Sequence, residues 1–193
     1  FLPHLLGHEG SGVVEKIGEG VKTVNVGDNV VLHWRKSSGI QSNTAKYKWN
    51  DKIVNAGWVT TFNEKAIISE NRLTVIPKEA DLKTAALYGC AITSGFGAVN
   101  NDANVQIGQS VLIFGLGGMG LSIAYASSLV SAYPIIGIDI HKEKLDIAKK
   151  FGVTHTFLSS EKNCFKKISE LLENKGPDVT FETTGISSIM EKA

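Results

Sequence analysis

The spacing of apolar positions changes near residue 80. Before it, short alternating runs are broken by Gly, Asn and Asp. "GSGVVEKIGEGV" predicts a strand and then a Gly-Glu-Gly turn. "VGDNVVLHW" predicts a turn and an alternating strand that ends in aromatics. "FNEKAIISENRLTVIP" predicts two further strands, closed by Pro77. Between them, the stretch from Arg35 to Gly57 is rich in Ser, Asn and Lys, and predicts a long surface loop or irregular lobe.

After that point "EADLKTAALYGCAITSGFGAVN" takes up helical spacing, with small residues around Gly89 and Cys90. Strand and helix then alternate: "SVLIFG", "GGMGLSIAYASSLV", "PIIGIDI", "KEKLDIAKKFG", "THTFL", "NCFKKISELLENKG" and "DVTFETTG". Apolar strands separated by helices predict a parallel sheet covered on both faces. The expected class is α/β, with a β-rich domain over residues 1–90 and a partial doubly wound parallel sheet over 91–193.

The first strand–helix junction carries candidate chemistry. Gly115, Gly117 and Gly120 have GxGxxG spacing, follow an apolar strand and open a helix. Gly115 permits the tight turn, Gly117 lets a pyrophosphate approach the backbone, and Gly120 lets helix pack closely on strand. Leu116, Gly118 and Met119 complete the loop, and the helix N-terminus presents N–H groups to phosphate. Asp139 ends the next strand, nineteen residues after Gly120, where a ribose-binding acid is expected. A carboxylate there favours NAD over NADP. No arginine follows it to receive a 2′-phosphate, although Lys142 and Lys144 are near in sequence.

Composition narrows the class. Hydrophobic residues make up 42%, charged residues 20%, and the formal net charge is +1, so neither a nucleic-acid-binding stripe nor an acidic disordered tract is expected. No apolar run is long enough to span a bilayer, and no export signal is visible. Cys90 and Cys164 are the two cysteines, too few for a disulfide framework, so a reducing, cytoplasmic setting is expected.

"GHEGSGVVEKIGEGVKTVNVGDNVV", "GCAITSGFGAV" and "GQSVLIFGLGGMGLSIA", in this order, closely resemble the zinc-dependent medium-chain alcohol dehydrogenases, with their GroES-like catalytic domain and Rossmann domain. The resemblance implies that His8 and Cys90 bind a catalytic zinc and that Glu9 stands beside it, approaching the metal in some members. Imidazole and thiolate are good zinc ligands. It also implies a cofactor site that includes Ser94 near the nicotinamide, Lys144 near the adenosine ribose, and Thr184. The implied reaction is hydride transfer between an alcohol and NAD, on a small alcohol, aldehyde or ketone, in a homodimer or homotetramer. A zinc-free quinone or enoyl reductase of the same scaffold, or a nucleotide-binding fragment without activity, is the alternative.

Two departures from the family pattern matter. The family's remaining cysteine ligand and a relay hydroxyl lie upstream of the GHE motif, and further strands follow "FETTG", so the chain is expected to be a segment truncated at both ends. The stretch after "VGDNVVLHW" holds no cysteine, so no four-cysteine zinc lobe is expected there. His33 is expected to be an ordinary strand-end residue.

Overall fold

The structure is a computed structural model that describes residues 2–193. The chain divides into two compact units, one running through Cys90 and the other from Ala91 to Ala193.

The second unit is built on a parallel four-stranded sheet of β7 (Val111–Phe114), β8 (Ile135–Asp139), β9 (His155–Leu158) and β10 (Val179–Glu182), in the order β10-β7-β8-β9. Helices α3 (Gly118–Leu129), α4 (Lys142–Lys149) and α5 (Cys164–Leu171) cover it. The period of two along β7 explains the double cover. Val111 and Ile113 pack with Leu116, Ile123 and Ala124 on one face. Leu112 and Phe114 pack with Cys164, Ile168 and Leu172 on the other. All four β7 residues are buried, each aliphatic one contributing about 1.5–3 kcal/mol. This is the half-wound sheet that strand–helix alternation predicts. Cys164 starts α5 as a core residue, and burial pushes its thiol pKa up.

The first unit has two small sheets. One is antiparallel, with β2 (Gly10–Val13), β3 (Asn29–Leu32) and β6 (Leu73–Ile76) in the order β2-β3-β6. The other joins β1 (His4–Leu5), β5 (Lys52–Ala56) and β4 (Lys46–Trp49). This second sheet corrects the expectation of an irregular lobe from Arg35 to Gly57. Residues 46–56 form a β-hairpin, with Trp49 opposite Lys52 and a two-residue Asn50-Asp51 turn. Asn50 has φ 53°, the left-handed conformation such a turn requires. Its solvent-facing lysines hide the strand pattern.

A second correction falls on "FNEKAIISENRLTVIP". Only β6 forms there, after a single 3-10 turn, Glu70–Arg72. The turn points charge inward. Glu70, Asn71 and Arg72 are all buried. Glu70 accepts hydrogen bonds at one oxygen from the N–H groups of Lys22 (2.7 Å) and Thr23 (2.8 Å) and from the Thr23 hydroxyl, and at the other from the N–H of Ile40 (2.7 Å). Arg72 donates to the Trp34 carbonyl and to the Gln41 side chain, and its guanidinium stacks 4.8 Å from the Trp58 ring centre. One acid and one base thus tie the 20s and 30s loops to β6, so these segments are ordered without forming strands.

The helical stretch expected after residue 80 is interrupted. Helix α1 (Leu82–Ala85), N-capped by Asp81, runs into a 3-10 turn, Ala86–Gly89. Cys90 breaks the run with φ −149° and ψ −73°, and α2 (Ala91–Gly97) follows. Helix α6 (Ser187–Met190) comes after β10. Among the described residues, no helix is long and apolar enough to cross a membrane.

The hydrogen bonds from Lys22, Ile40 and Thr23 hold the Glu70 pKa at about 2, against an ordinary 4.5. A depressed carboxylate stabilises the fold above its unfolded pKa, and that contribution is lost as pH falls through the folded one. Glu70→Gln places an amide NH2 against backbone donors and destabilises the chain most at neutral pH. In chemical denaturation, the gap between wild type and variant should shrink steadily from pH 5 to pH 2. A gap independent of pH would rule out this role for the charge.

Candidate functional site

The glycine loop is held by three strands. Gly115 leaves β7 with φ +88°, and its N–H donates to the Ile138 carbonyl (2.9 Å). A Cβ on Gly115 would meet the Thr183 hydroxyl at 2.8 Å, and one on Gly120 would lie 1.9 Å from the Gly115 carbonyl oxygen. These glycines are required by internal packing. Gly117, by contrast, is exposed and has ordinary φ −77°, and its Cβ would meet nothing within 4 Å. Nothing inside the chain requires glycine there. The open position leaves space over the α3 N-terminus, where a phosphate can approach the backbone. The side chain of Met119 is half-buried, and Gly118 is exposed.

Asp139 has a structural role that sequence spacing does not reveal. It is buried at the end of β8, and its Oδ2 accepts the Leu116 N–H (2.7 Å) while Oδ1 accepts the His141 N–H (2.9 Å). Burial pushes its pKa up, but the N–H groups of Leu116 and His141 and the Lys144 ammonium, 3.8 Å away, outweigh burial and lower it. The acid expected to meet ribose therefore also clamps the glycine loop. Thr183 is a further anchor that sequence reading missed. Its hydroxyl lies 2.9 Å from the Phe114 carbonyl and 3.0 Å from that of Gly115. The only sequence signal for it is a polar Thr-Thr pair directly after an apolar strand. Thr184 is exposed, and its N–H and hydroxyl both donate to Glu182. Ser94 lies half-buried in α2, whose Gly95 packs so closely on α3 that a Cβ would be 2.5 Å from that of Ser122.

In the first unit, the GHE and GC segments meet at the end of β3. Gly10, directly after His8-Glu9, is paired with Leu32. Gly89, directly before Cys90, lies against the Leu32 carbonyl oxygen, 2.2 Å from where a Cβ would be. His8 is exposed, and Glu9 and Cys90 are half-buried. Two motifs some eighty residues apart thus flank one peptide group. Among the described residues, no three His, Cys, Asp or Glu side chains gather as a metal-binding group. His33 stays out of it. Its ring nitrogens contact the Arg35 carbonyl (2.8 Å) and the Thr74 hydroxyl (3.0 Å), as a strand-end residue does. A groove of about 590 Å³ runs beside β2, bordered by Thr61, Asn63 and Ile67, and neither His8 nor Cys90 lines it.

The family model for the alcohol dehydrogenase GroES-like domain matches residues 1–78, and that for zinc-binding dehydrogenases matches residues 115–193. The chain belongs to the zinc-type, medium-chain alcohol dehydrogenase family. Its alcohol dehydrogenase relatives include alcohol dehydrogenase 6 of Peromyscus maniculatus, 34% identical over 220 aligned positions that cover all of this chain and 58% of the relative. S-(hydroxymethyl)glutathione dehydrogenase of Escherichia coli is 33% identical, covering all of this chain and 59% of that protein. The crystal structure of benzyl alcohol dehydrogenase from Acinetobacter calcoaceticus superimposes with a TM-score of 0.81 at 29% identity, over all of this chain and 58% of that one. The chain thus spans somewhat under three fifths of the length of these alcohol dehydrogenases. Its architecture is the family's: a β-rich GroES-like part and then a parallel Rossmann-type sheet.

The two loop glycines predict opposite outcomes on substitution. Gly120→Ala drives a methyl into a backbone carbonyl and should cost about 1–3 kcal/mol or more, as overpacking does. Gly117→Ala meets no atom, and should stay within about 0.5 kcal/mol of wild type. Thermal unfolding of the two variants checks this. Equal losses would mean that Gly117 is also a packing residue.

Proposed function

We propose that the whole protein is a zinc-dependent, NAD-linked dehydrogenase that interconverts an alcohol and its aldehyde or ketone. The observation that carries this reading is the meeting of the GHE and GC segments at Leu32. Imidazole and thiolate form a donor pair suited to zinc. His8 and Cys90 would hold the metal, with Glu9 beside them, and remaining ligands would come from elsewhere in the whole protein. When bound, the zinc supplies Lewis acidity at the alcohol oxygen and the nicotinamide supplies the hydride acceptor. Each residue's task is then local. His8 would offer a ring nitrogen and Cys90 its sulfur to the metal.

In the second unit, Gly115, Leu116, Gly117, Gly118, Met119 and Gly120 form the pyrophosphate cradle. The open space at Gly117 and the α3 N-terminus behind it support this assignment. The Asp139 carboxylate keeps lone pairs for ribose hydroxyls while it clamps the loop, and Lys144 stands beside it. Ser94 is assigned to the nicotinamide half of the same cofactor, and Thr184 to the cofactor site. A thiolate ligand calls for a reducing compartment, and we place the protein in the cytoplasm, as a homodimer or homotetramer. The substrate is a small alcohol or carbonyl compound. The benzyl alcohol and S-(hydroxymethyl)glutathione named for two relatives mark the range of alcohols that such a scaffold accepts.

Titration of the full-length protein with both cofactors tests the nucleotide assignment. A 2′-phosphate would bring negative charge against the buried Asp139 carboxylate. A charge-assisted hydrogen bond is worth about 1.5–3 kcal/mol. NAD should therefore bind tenfold or more tightly than NADP, at roughly 1.4 kcal/mol per decade. Asp139→Gly should narrow that ratio, and Gly117→Ala should weaken NAD binding without lowering the melting temperature. Tighter binding of NADP by the wild type refutes the assignment. For the metal, His8→Ala and Cys90→Ser should each release zinc from the purified protein. Full zinc retention by both variants would move the site elsewhere.

A further inference from the structure

Outside the residues already assigned, one side chain is fitted to the GHE turn from behind. Thr61 follows the hairpin and itself borders the β2 groove. A Cβ on Gly7 would lie 2.4 Å from the Thr61 hydroxyl oxygen, and one on Gly10 would lie 2.6 Å from its Cγ2 methyl. The two branches of one β-branched side chain therefore occupy the space that side chains at both ends of Gly7-His8-Glu9-Gly10 would need. Gly7 itself has φ +94°, so the turn enters through a conformation that only glycine takes up readily. The main chain secures the same point, since the N–H groups of Thr61 and Phe62 both reach the Leu6 carbonyl, at 3.3 and 3.1 Å.

The Thr61 hydroxyl is buried and has no hydrogen-bond partner among the described residues. What the structure shows of Thr61 is the packing of its two arms against Gly7 and Gly10. Two properties together do the work. The branching at Cβ fixes χ1 and makes the side chain stiff, and its two arms reach the two glycines.

We propose that Thr61 is a positioning residue for His8, acting through the shape of its side chain and not through its hydroxyl. This rests on the reading of His8 as a metal ligand. Imidazole coordination depends on the direction of one ring nitrogen. A turn left free to shift by half an ångström loses affinity without any loss of a ligand atom. Thr61 acts on the turn's backbone, so it needs no contact with the metal.

Three substitutions in the full-length protein separate shape from hydroxyl and from general stability. Thr61→Val keeps both arms. Thr61→Ser keeps the hydroxyl and removes the arm against Gly10. Thr61→Ala removes both. Cobalt(II) is the metal probe, read by its thiolate charge-transfer band, alongside the melting temperature and amide hydrogen exchange at Gly7–Gly10 in metal-free protein. Thr61→Val should bind cobalt like wild type, with an equal or higher melting temperature and unchanged exchange. Thr61→Ala should weaken cobalt binding tenfold or more and speed exchange at the turn tenfold or more. Thr61→Ser should fall between. Loss of cobalt affinity in Thr61→Val would overturn the proposal, because the hydroxyl would then be the working group. So would a Thr61→Ala variant that melts earlier with cobalt affinity and turn exchange unchanged, since that role is only structural. If wild type and His8→Ala take up cobalt alike, the metal reading of His8 fails by itself. The exchange data then decide separately whether Thr61 holds the turn.

Discussion

The candidate metal site depends on a close approach of two backbones. The carbonyl of Leu32 lies against Gly89 at a distance no side chain could share, and the same residue is paired with Gly10 across β2 and β3. A strand residue has two ends to its peptide unit and two neighbours, and here one neighbour leads to His8 and the other to Cys90. Widening at Gly89 by even one methyl group would move Cys90 away from the strand end. It also explains why the helical stretch after residue 80 is broken. A continuous helix cannot lower one residue onto a strand carbonyl and continue, so the 3-10 turn ends at Gly89 and Cys90 takes up an irregular conformation.

The two halves of the chain were unequally legible. The glycine loop was clear in the sequence because its physics is local: a buried strand, a tight turn and a helix N-terminus within a dozen residues. The parallel pairing of the sheet was also legible, since β7, β8, β9 and β10 all pair in parallel as the alternation requires. The first unit was harder. The 46–56 hairpin is coated with lysine and polar groups, so composition pointed to a loop while the Asn50-Asp51 turn pointed to a hairpin. The run from Phe62 to Ser69 has the alternation of a strand but no strand partner. Side chains from the hairpin region hold it instead: the Ile67 N–H donates to the Tyr47 hydroxyl (2.9 Å), and the Ser69 hydroxyl meets Ser42. Thr61 carried no signal of any kind, because a threonine fitted against two distant glycines looks like any other threonine.

The site residues divide in the same way. His8, Glu9 and Cys90 came from a resemblance of motifs, and the Leu32 junction is the physical reason that those motifs lie together. Asp139 came from spacing alone. Its bond to the Leu116 N–H is a tertiary contact between the end of one strand and the turn after another, and no spacing rule contains it.

That shared duty limits how this scaffold can be redesigned. A change in the dinucleotide preference proposed here would begin at the acid that ends the second strand. Here the acid is also the latch of the glycine-rich turn after β7. Taking it away to admit a bulkier ribose leaves the Leu116 amide without its acceptor in a buried place. A successful exchange of cofactor in this chain therefore needs a replacement acceptor for that amide, such as an asparagine at the same position or a polar side chain brought in from β10. Loop order in this chain, and the cofactor selectivity proposed for it, thus rest on a single carboxylate.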